Sequence, residues 1–155
     1  MPAVIPDRYR YAAIPHIMLD GARAAAEFYV AAFDAEELMR IAHPDGRILH
    51  AELRIGTSVV MLGDAEKPFV SPHVAGGTTV GLHVYVDDVD ALYDRAVTAG
   101  ATSMQPPTDM FYGDRTIMLK DPFGHVWVFL THMYDMPLHD IVARGTALLQ
   151  TDKVD

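Results

Sequence analysis

The sequence contains no cysteine among its 155 residues. This absence excludes a disulfide framework, a thiol nucleophile and a cysteine-ligated zinc site, and it suits a reducing compartment. Half of the residues are apolar, which excludes intrinsic disorder. A single domain of this length buries enough surface to be stable on its own.

Positive charge is also scarce. Lys and Arg total 12 against 21 Asp and Glu, which gives a net charge of −9 with histidine neutral. Such a surface repels nucleic-acid phosphates and anionic membranes, so neither is an expected partner. The opening MPAVIPDRYRYAAIPH lacks the apolar core of a signal peptide, and no later stretch is apolar for long enough to span a membrane. We expect a cytoplasmic protein that acts on a small molecule or on another protein.

The two halves of the chain repeat each other. His16-Ile17-Met18-Leu19-Asp20 is echoed by His83-Val84-Tyr85-Val86-Asp87, and an alanine-rich helical stretch follows each. Each half is predicted to form a strand, a helix and three strands. The predicted helices span 22–33 and 89–99, and the strands span 14–19, 38–42, 48–55, 58–62, 82–86, 101–104, 116–120 and 126–132. This predicts an α+β domain over 12–133, with βαβββ modules at 12–63 and 79–133, a linker at 64–78, an extension at 1–11 and a tail at 134–155.

One helix per module covers one face of a sheet, so the other face must curl around a ligand or another subunit. Side-chain alternation places His16 and Met18 on that open face of the first strand. It places His83 and Tyr85 on the equivalent face of the second module. On the third strand, alternation puts His50 and Glu52 on one face and Leu49, Ala51, Leu53 and Ile55 on the other.

The chain resembles the vicinal oxygen chelate superfamily, which includes glyoxalase I, bleomycin-resistance proteins, extradiol dioxygenases and fosfomycin-resistance enzymes. The resemblance covers about residues 12–133 and is carried by Glu27-Phe28-Tyr29, Ala32-Phe33-Asp34-Ala35, Val86-Asp87-Asp88-Val89-Asp90-Ala91, Ala99-Gly100-Ala101 and Asp121-Pro122-Phe123-Gly124-His125. Asp34 stands where the family commonly has glycine. His50-Ala51-Glu52-Leu53, the stretch 109–115 and Thr131-His132 resemble a largely uncharacterised branch named after a phosphonate-operon protein.

The resemblance implies paired modules forming curled sheets around a cavity, and a homodimer. In metal-using members, histidines on the first strand of each module and acidic residues on the last strand hold a divalent ion. Counted from the Asp-Pro-x-Gly turn, the acidic position falls at Val128 in the second module and at Val60 or Met61 in the first. None of these side chains can ligate a hard cation. No cofactor is therefore expected, and the predicted function is binding of an apolar or aromatic small molecule.

A metal-dependent lyase, isomerase or dioxygenase is the alternative function. A divalent metal would then be held by His16, His50, Glu52 and His83, with His50 and Glu52 as the catalytic pair. Under either function, the residues predicted to contact the ligand are His16, Met18, His83, Tyr85, Tyr112, Arg115, Val128 and His132. The structural alternative is that His50 and Glu52 hydrogen-bond across strands or line a dimer contact.

The segments outside these strands carry further expectations. The stretch 109–115 is either a lid, with Arg115 holding an anionic ligand, or a hairpin with aromatic residues in a dimer interface. Trp127 is expected in the core, and 138–149 is expected to form an amphipathic helix. Turn or tail positions predict exposure to solvent for His43, His73, His125 and His139.

Overall fold

The computed structural model describes residues 4–10 and 12–151. Residues 1–3 and 11 of the predicted extension and 152–155 of the predicted tail lie outside the described residues. A 3-10 turn at Asp7–Tyr9 precedes the first strand. The elements are β1 (His16–Leu19), α1 (Ala22–Phe33), β2 (Glu36–Ala42), β3 (Ile48–Ile55), β4 (Ser58–Asp64), α2 (Pro72–Ala75), β5 (Gly81–Tyr85), α3 (Val89–Ala99), β6 (Thr102–Asp109), β7 (Asp114–Lys120), β8 (Val126–His132) and α4 (Leu138–Thr151).

The strands form two sheets with the same topology. Their orders are β1-β4-β3-β2 and β5-β8-β7-β6. The first strand of each module runs parallel to the last, and the other neighbours are antiparallel. The predicted α+β fold of two βαβββ modules is therefore confirmed, as is the helix expected in the tail. No helix in the described part of the chain is long and apolar enough to cross a membrane.

Strand register settles which residue of the first module corresponds to Val128. His16 pairs with Met61, and His83 pairs with Val128. The distance in sequence from His16 to His83 therefore equals the distance from Met61 to Val128. Met61 is therefore the counterpart of Val128, and Val60 belongs to the hydrophobic core instead.

The core joins the helix-facing sides of the two modules. Tyr29 and Phe33 of α1 pack against Trp127 and Phe129 of β8, with ring centroids 4.8–5.3 Å apart for three of the four pairs. All four residues are buried, so the prediction for Trp127 is confirmed. Aromatic rings bury large apolar areas, and this cluster fixes the relation of one module to the other.

Asp121 anchors the same junction with a buried carboxylate. Its Oδ2 accepts hydrogen bonds from the Tyr29 hydroxyl at 2.6 Å and from Trp127 Nε1 at 2.8 Å. Its Oδ1 accepts the backbone N–H groups of Phe123 and His125, both at 2.9 Å. A buried carboxylate is tolerated only with such compensation. Burial, together with the charge of Asp121 and the hydrogen bond to it, raises the pKa of Tyr29 well above its ordinary value.

Two predictions about side-chain placement are wrong. His125 was expected in solvent, but it is 8% exposed and its Nε2 lies 3.0 Å from the Met18 carbonyl, because its turn packs against β1. Leu49 was expected on the face of Ala51, but it is 51% exposed. The register passes from the Ile41–His50 pair to the Ala42–Ile48 pair, so Leu49 occupies a bulge that interrupts alternation.

The stretch 109–115 forms the tip of a hairpin, with residues 110–113 outside the two strands. β6 continues to Asp109 and β7 begins at Asp114, which leaves a short turn between them. β6 is an edge strand with two register irregularities, one between Ser103 and Gln105 and one between Gln105 and Thr108. The second contains Pro106 and Pro107, and proline is tolerated at such positions of an edge strand. The sequence signal for this strand was weak for that reason, and the predicted strand ended at residue 104.

We expect Gly124→Val to lower the free energy of unfolding by about 2 kcal/mol or more. Gly124 has a φ of 95°, and a Cβ there would lie 2.8 Å from the Pro72 Cβ. Denaturant unfolding measures the loss. Gly76→Val is the matched control, because Gly76 has a φ of 77° but open space around it. Equal losses in the two variants would contradict a role for the Pro72 contact.

Candidate functional site

A row of four side chains crosses the open face of the first sheet. The register places Met61 between His16 and Glu52, and Glu52 between Met61 and Met39. His16 and Met39 are exposed and Met61 is half-buried, whereas Glu52 is only 4% exposed. The row therefore presents a carboxylate between two thioethers, with a histidine at one end.

The Glu52 carboxylate is covered by the segment before β1. The Tyr9 hydroxyl donates a hydrogen bond to Oε2, and Arg8 Nε lies 3.6 Å from the same oxygen. His50 Nε2 lies 3.3 Å from Oε1. Burial raises the pKa of Glu52, but the hydrogen bonds from Tyr9 and His50 and the positive charge of Arg8 outweigh it and lower the pKa. The bond to Glu52 also raises the pKa of Tyr9.

The predicted catalytic pair is in direct contact with a third predicted residue. The His16 and His50 rings meet edge to face, with centroids 5.4 Å apart. Partial burial and the nearby His50 lower the pKa of His16, which favours a neutral imidazole. The structure thus brings His16, His50 and Glu52 together on one face, and their catalytic role stays a prediction.

His83 lies apart from these three residues, on the second sheet. It lines a cavity of about 440 Å³ where the modules meet, together with Arg8, Val59, Val80 and Trp127. Within residues 4–10 and 12–151, no three His, Asp or Glu side chains are arranged to hold a metal ion.

The open face of the second sheet carries a corresponding row. His83 pairs with Val128, Val128 with Met118 and Met118 with Gln105. Met118 therefore stands where the first sheet has Glu52. Val128 is 8% exposed and cannot serve as a ligand to a cation. The two faces share their histidine and their apolar character but differ in charge.

A buried aspartate that sequence reasoning missed organises one end of the second sheet. Asp114 accepts hydrogen bonds from the Tyr85 hydroxyl and from His132 Nδ1, both at 2.7 Å. His132 Nε2 lies 2.9 Å from the exposed carboxylate of Asp135. The bond to Asp114 raises the pKa of Tyr85 to about 12. The sequence interpretation places Asp114 in the loop 109–115. Its pairing with His132 becomes evident from the register of β7 and β8.

Other predicted ligand residues have partners within the protein. Arg115 donates to Asp90 at 2.7 and 2.9 Å and to Asp109 at 2.7 Å, so an anionic ligand would have to displace two carboxylates. Tyr112 is half-buried beside Phe111, and burial raises its pKa. Met18 is half-buried on β1.

Tyr85 and His132 also line a second cavity between the modules. This cavity has a volume of about 670 Å³, and Phe33, Leu92 and Arg95 contribute to its wall. Tyr85 is 60% exposed. An aromatic side chain held by a buried acid and facing a cavity can contact a ligand without losing its own orientation.

The fold agrees with comparisons to known proteins. A sequence profile of the Glyoxalase/Bleomycin resistance protein/Dioxygenase superfamily matches residues 13–129. The chain belongs to this superfamily. It is 46% identical over 118 residues to the uncharacterized protein Rv0887c of Mycobacterium tuberculosis, which covers 73% of this chain and 69% of that protein.

Solved structures of this superfamily fold are similar to the chain. TioX from Micromonospora sp. ML1 is 29% identical with a TM-score of 0.64, and the alignment covers 81% of this chain and 99% of TioX. Fosfomycin resistance protein FosX from Mesorhizobium loti is 17% identical with a TM-score of 0.59 over 86% of this chain and 98% of FosX. The likeness to FosX concerns the fold alone.

The His132 contacts predict a pH dependence of stability. Hydrogen bonds to Asp114 and Asp135 raise the pKa of His132. Their stabilisation is complete below the ordinary histidine pKa of about 6.5 and is lost as pH rises through the raised value. We expect His132→Gln to lower the urea midpoint more at about pH 6 than at about pH 9.

An Asp114→Asn background is the control for this prediction. Without the Asp114 charge, the effect of His132→Gln should lose most of its pH dependence. An unchanged dependence in that background would show that Asp114 is not its cause.

Proposed function

We propose that this superfamily member binds an apolar or aromatic small molecule against the open faces of its sheets, without the carboxylate ligands of the metal-using members. One observation supports the proposal most directly. In each module an apolar side chain, Met61 or Val128, stands beside the histidine of the first strand. These are the positions at which the family resemblance implies an acidic ligand.

The methionines of these faces suit such a ligand. Met18, Met61 and Met118 are each half-buried, and Met39 is exposed beside Glu52. Thioethers are flexible and polarizable, so they adapt to different shapes and make favourable contacts with aromatic rings. The faces combine this apolar lining with few polar groups, which is the usual composition of a small-molecule site.

A metal-dependent lyase, isomerase or dioxygenase is the second candidate. The observation in its favour is the contact of His16 with His50 and of His50 with Glu52 on one face. Two imidazoles and a carboxylate match the ligand sets of several catalytic metals.

Thermal unfolding of chelator-treated protein separates these two functions. We expect 4-nitroanisole, an uncharged aromatic, to raise the midpoint in a saturable way, and nickel, zinc, manganese, iron(II) and cobalt ions to leave it unchanged. A ligand that binds only the native state stabilises it by about 2.7 kcal/mol at a hundredfold excess over its Kd. Met61→Glu should weaken the 4-nitroanisole effect, because a charged carboxylate would replace an apolar thioether at the position that contacts the ring.

Val97→Glu is the matched control, since Val97 is an exposed valine on α3 away from both open faces. It should leave the effect of 4-nitroanisole unchanged. A saturable rise with one of the metal ions that disappears in Glu52→Ala would favour the enzyme. No rise with 4-nitroanisole would count against aromatic binding.

We also propose that the chain forms a homodimer. Helix α4 exposes Leu138, Val142 and Leu149, whose spacing places them on one helical face, and Phe111 packs near Gly145 between them. Exposed apolar stripes of this kind mark contact surfaces.

Light scattering at micromolar concentration tests this dimer. We expect a dimer for the native chain and a monomer for Val142→Asp, because a charge in the stripe would have to be desolvated in the interface. Val30→Asp, at an exposed valine of α1, should remain a dimer. A monomeric native chain would contradict the proposal.

A further inference from the structure

Glu52 is the buried charged group of the open face of the first sheet, and its position demands hydrogen-bond donors. A carboxylate excluded from water costs free energy unless donors surround it. His50 on the same strand supplies one contact. Tyr9 and Arg8, both from the segment before β1, supply the others.

That segment is held to the sheet through few polar contacts. None of the residues of the Asp7–Tyr9 turn is buried. Its backbone bonds are internal, from the Tyr9 N–H to the Pro6 carbonyl and from the Arg10 N–H to the Asp7 carbonyl. Among the described residues, the side-chain hydrogen bonds and ion pairs that join residues 4–10 to the sheet all end on Glu52. A segment attached in this way can leave at low cost.

The surroundings of Glu52 complement a phenol. Its carboxylate accepts the hydroxyl of Tyr9, and the register places Met39 and Met61 on either side. Methionine sulfur interacts favourably with aromatic rings, and a charged acceptor strengthens the hydrogen bond of a hydroxyl donor. The equivalent position of the second sheet is Met118, so this combination belongs to the first sheet.

We propose that Glu52 binds the hydroxyl group of a hydroxylated aromatic ligand, and that Tyr9 occupies the site as an intramolecular stand-in until such a ligand enters. The ring of the ligand then lies over Met39 and Met61. This inference rests on the proposed function and assigns a ligand class to it. Since Tyr9 and the ligand compete for one acceptor, the apparent affinity of the native chain is reduced by the fraction of molecules in which Tyr9 is bound.

The test compares two probes of similar size that differ in one donor. 4-Nitrophenol carries a hydroxyl, whereas 4-nitroanisole carries a methoxy group that cannot donate. Their affinities are measured by equilibrium dialysis, at a pH where 4-nitrophenol is neutral, for the native chain, Tyr9→Phe and Glu52→Met. Glu52→Met installs the residue that the second sheet already holds at this register position, so it is expected to fold, which circular dichroism verifies.

We expect Tyr9→Phe to bind 4-nitrophenol about tenfold more tightly than the native chain does, because the competing hydroxyl is gone. Tyr9→Phe should also prefer 4-nitrophenol to 4-nitroanisole by about tenfold, and Glu52→Met should abolish this preference. Equal affinities for the two probes in Tyr9→Phe would overturn the role of Glu52 while leaving aromatic binding intact. Binding of neither probe to any variant would overturn the proposed function as well.

Trypsin cleavage after Arg8 and Arg10 reports on the segment itself. In the native chain, 4-nitrophenol should accelerate this cleavage, because the displaced segment becomes accessible, and 4-nitroanisole should not. Binding of 4-nitrophenol without faster cleavage would show that Tyr9 is not displaced. That result would reject the role of Tyr9 as a stand-in, even if Glu52 binds the hydroxyl of 4-nitrophenol.

Discussion

The structure depends on one buried carboxylate at the junction of the modules. Asp121 is 3% exposed and accepts four hydrogen bonds, from Tyr29 of the first module and from Trp127, Phe123 and His125 of the second. The two backbone donors fix the turn before β8, and the two side-chain donors hold α1 against that strand. Because the helix-facing sides of both sheets pack into this junction, their other faces are the ones that stay open.

The open faces of the two sheets have the same strand register but differ in the charge of one side chain. The first face holds Glu52 in the row of His16 and Met61, whereas the second holds Met118 in the row of His83 and Val128. In the second module a buried acid, Asp114, stands instead at the end of the sheet, bound to Tyr85 and His132. A tyrosine hydroxyl binds the buried acid on each sheet, but Tyr9 comes from the segment before β1, whereas Tyr85 belongs to the sheet itself.

Sequence patterns predicted the elements whose formation depends on residues close to one another in the chain. The helix of each module follows from alanine-rich 3.6-residue spacing, and the predicted limits agree with Ala22–Phe33 and Val89–Ala99. Alternation placed His50 and Glu52 on one face, but it failed at Leu49, where a bulge adds a residue to one strand. It also could not show that Tyr9 lies on Glu52 or that His125 reaches the Met18 carbonyl, since both contacts join segments far apart in sequence.

Among the residues that the structure describes, three tyrosine hydroxyls donate to buried carboxylates, and the surroundings of each bond differ. Tyr29 is fully buried against Asp121, which has three further donors, so that pair is permanent. Tyr85 is carried by a strand of the sheet and is fixed by its backbone. Tyr9 alone among these three comes from a segment with no buried residue. Its departure leaves Glu52 in contact with His50 but without the Tyr9 hydroxyl, and a hydroxylated ring would replace that lost bond, whereas a ring without a donor would not.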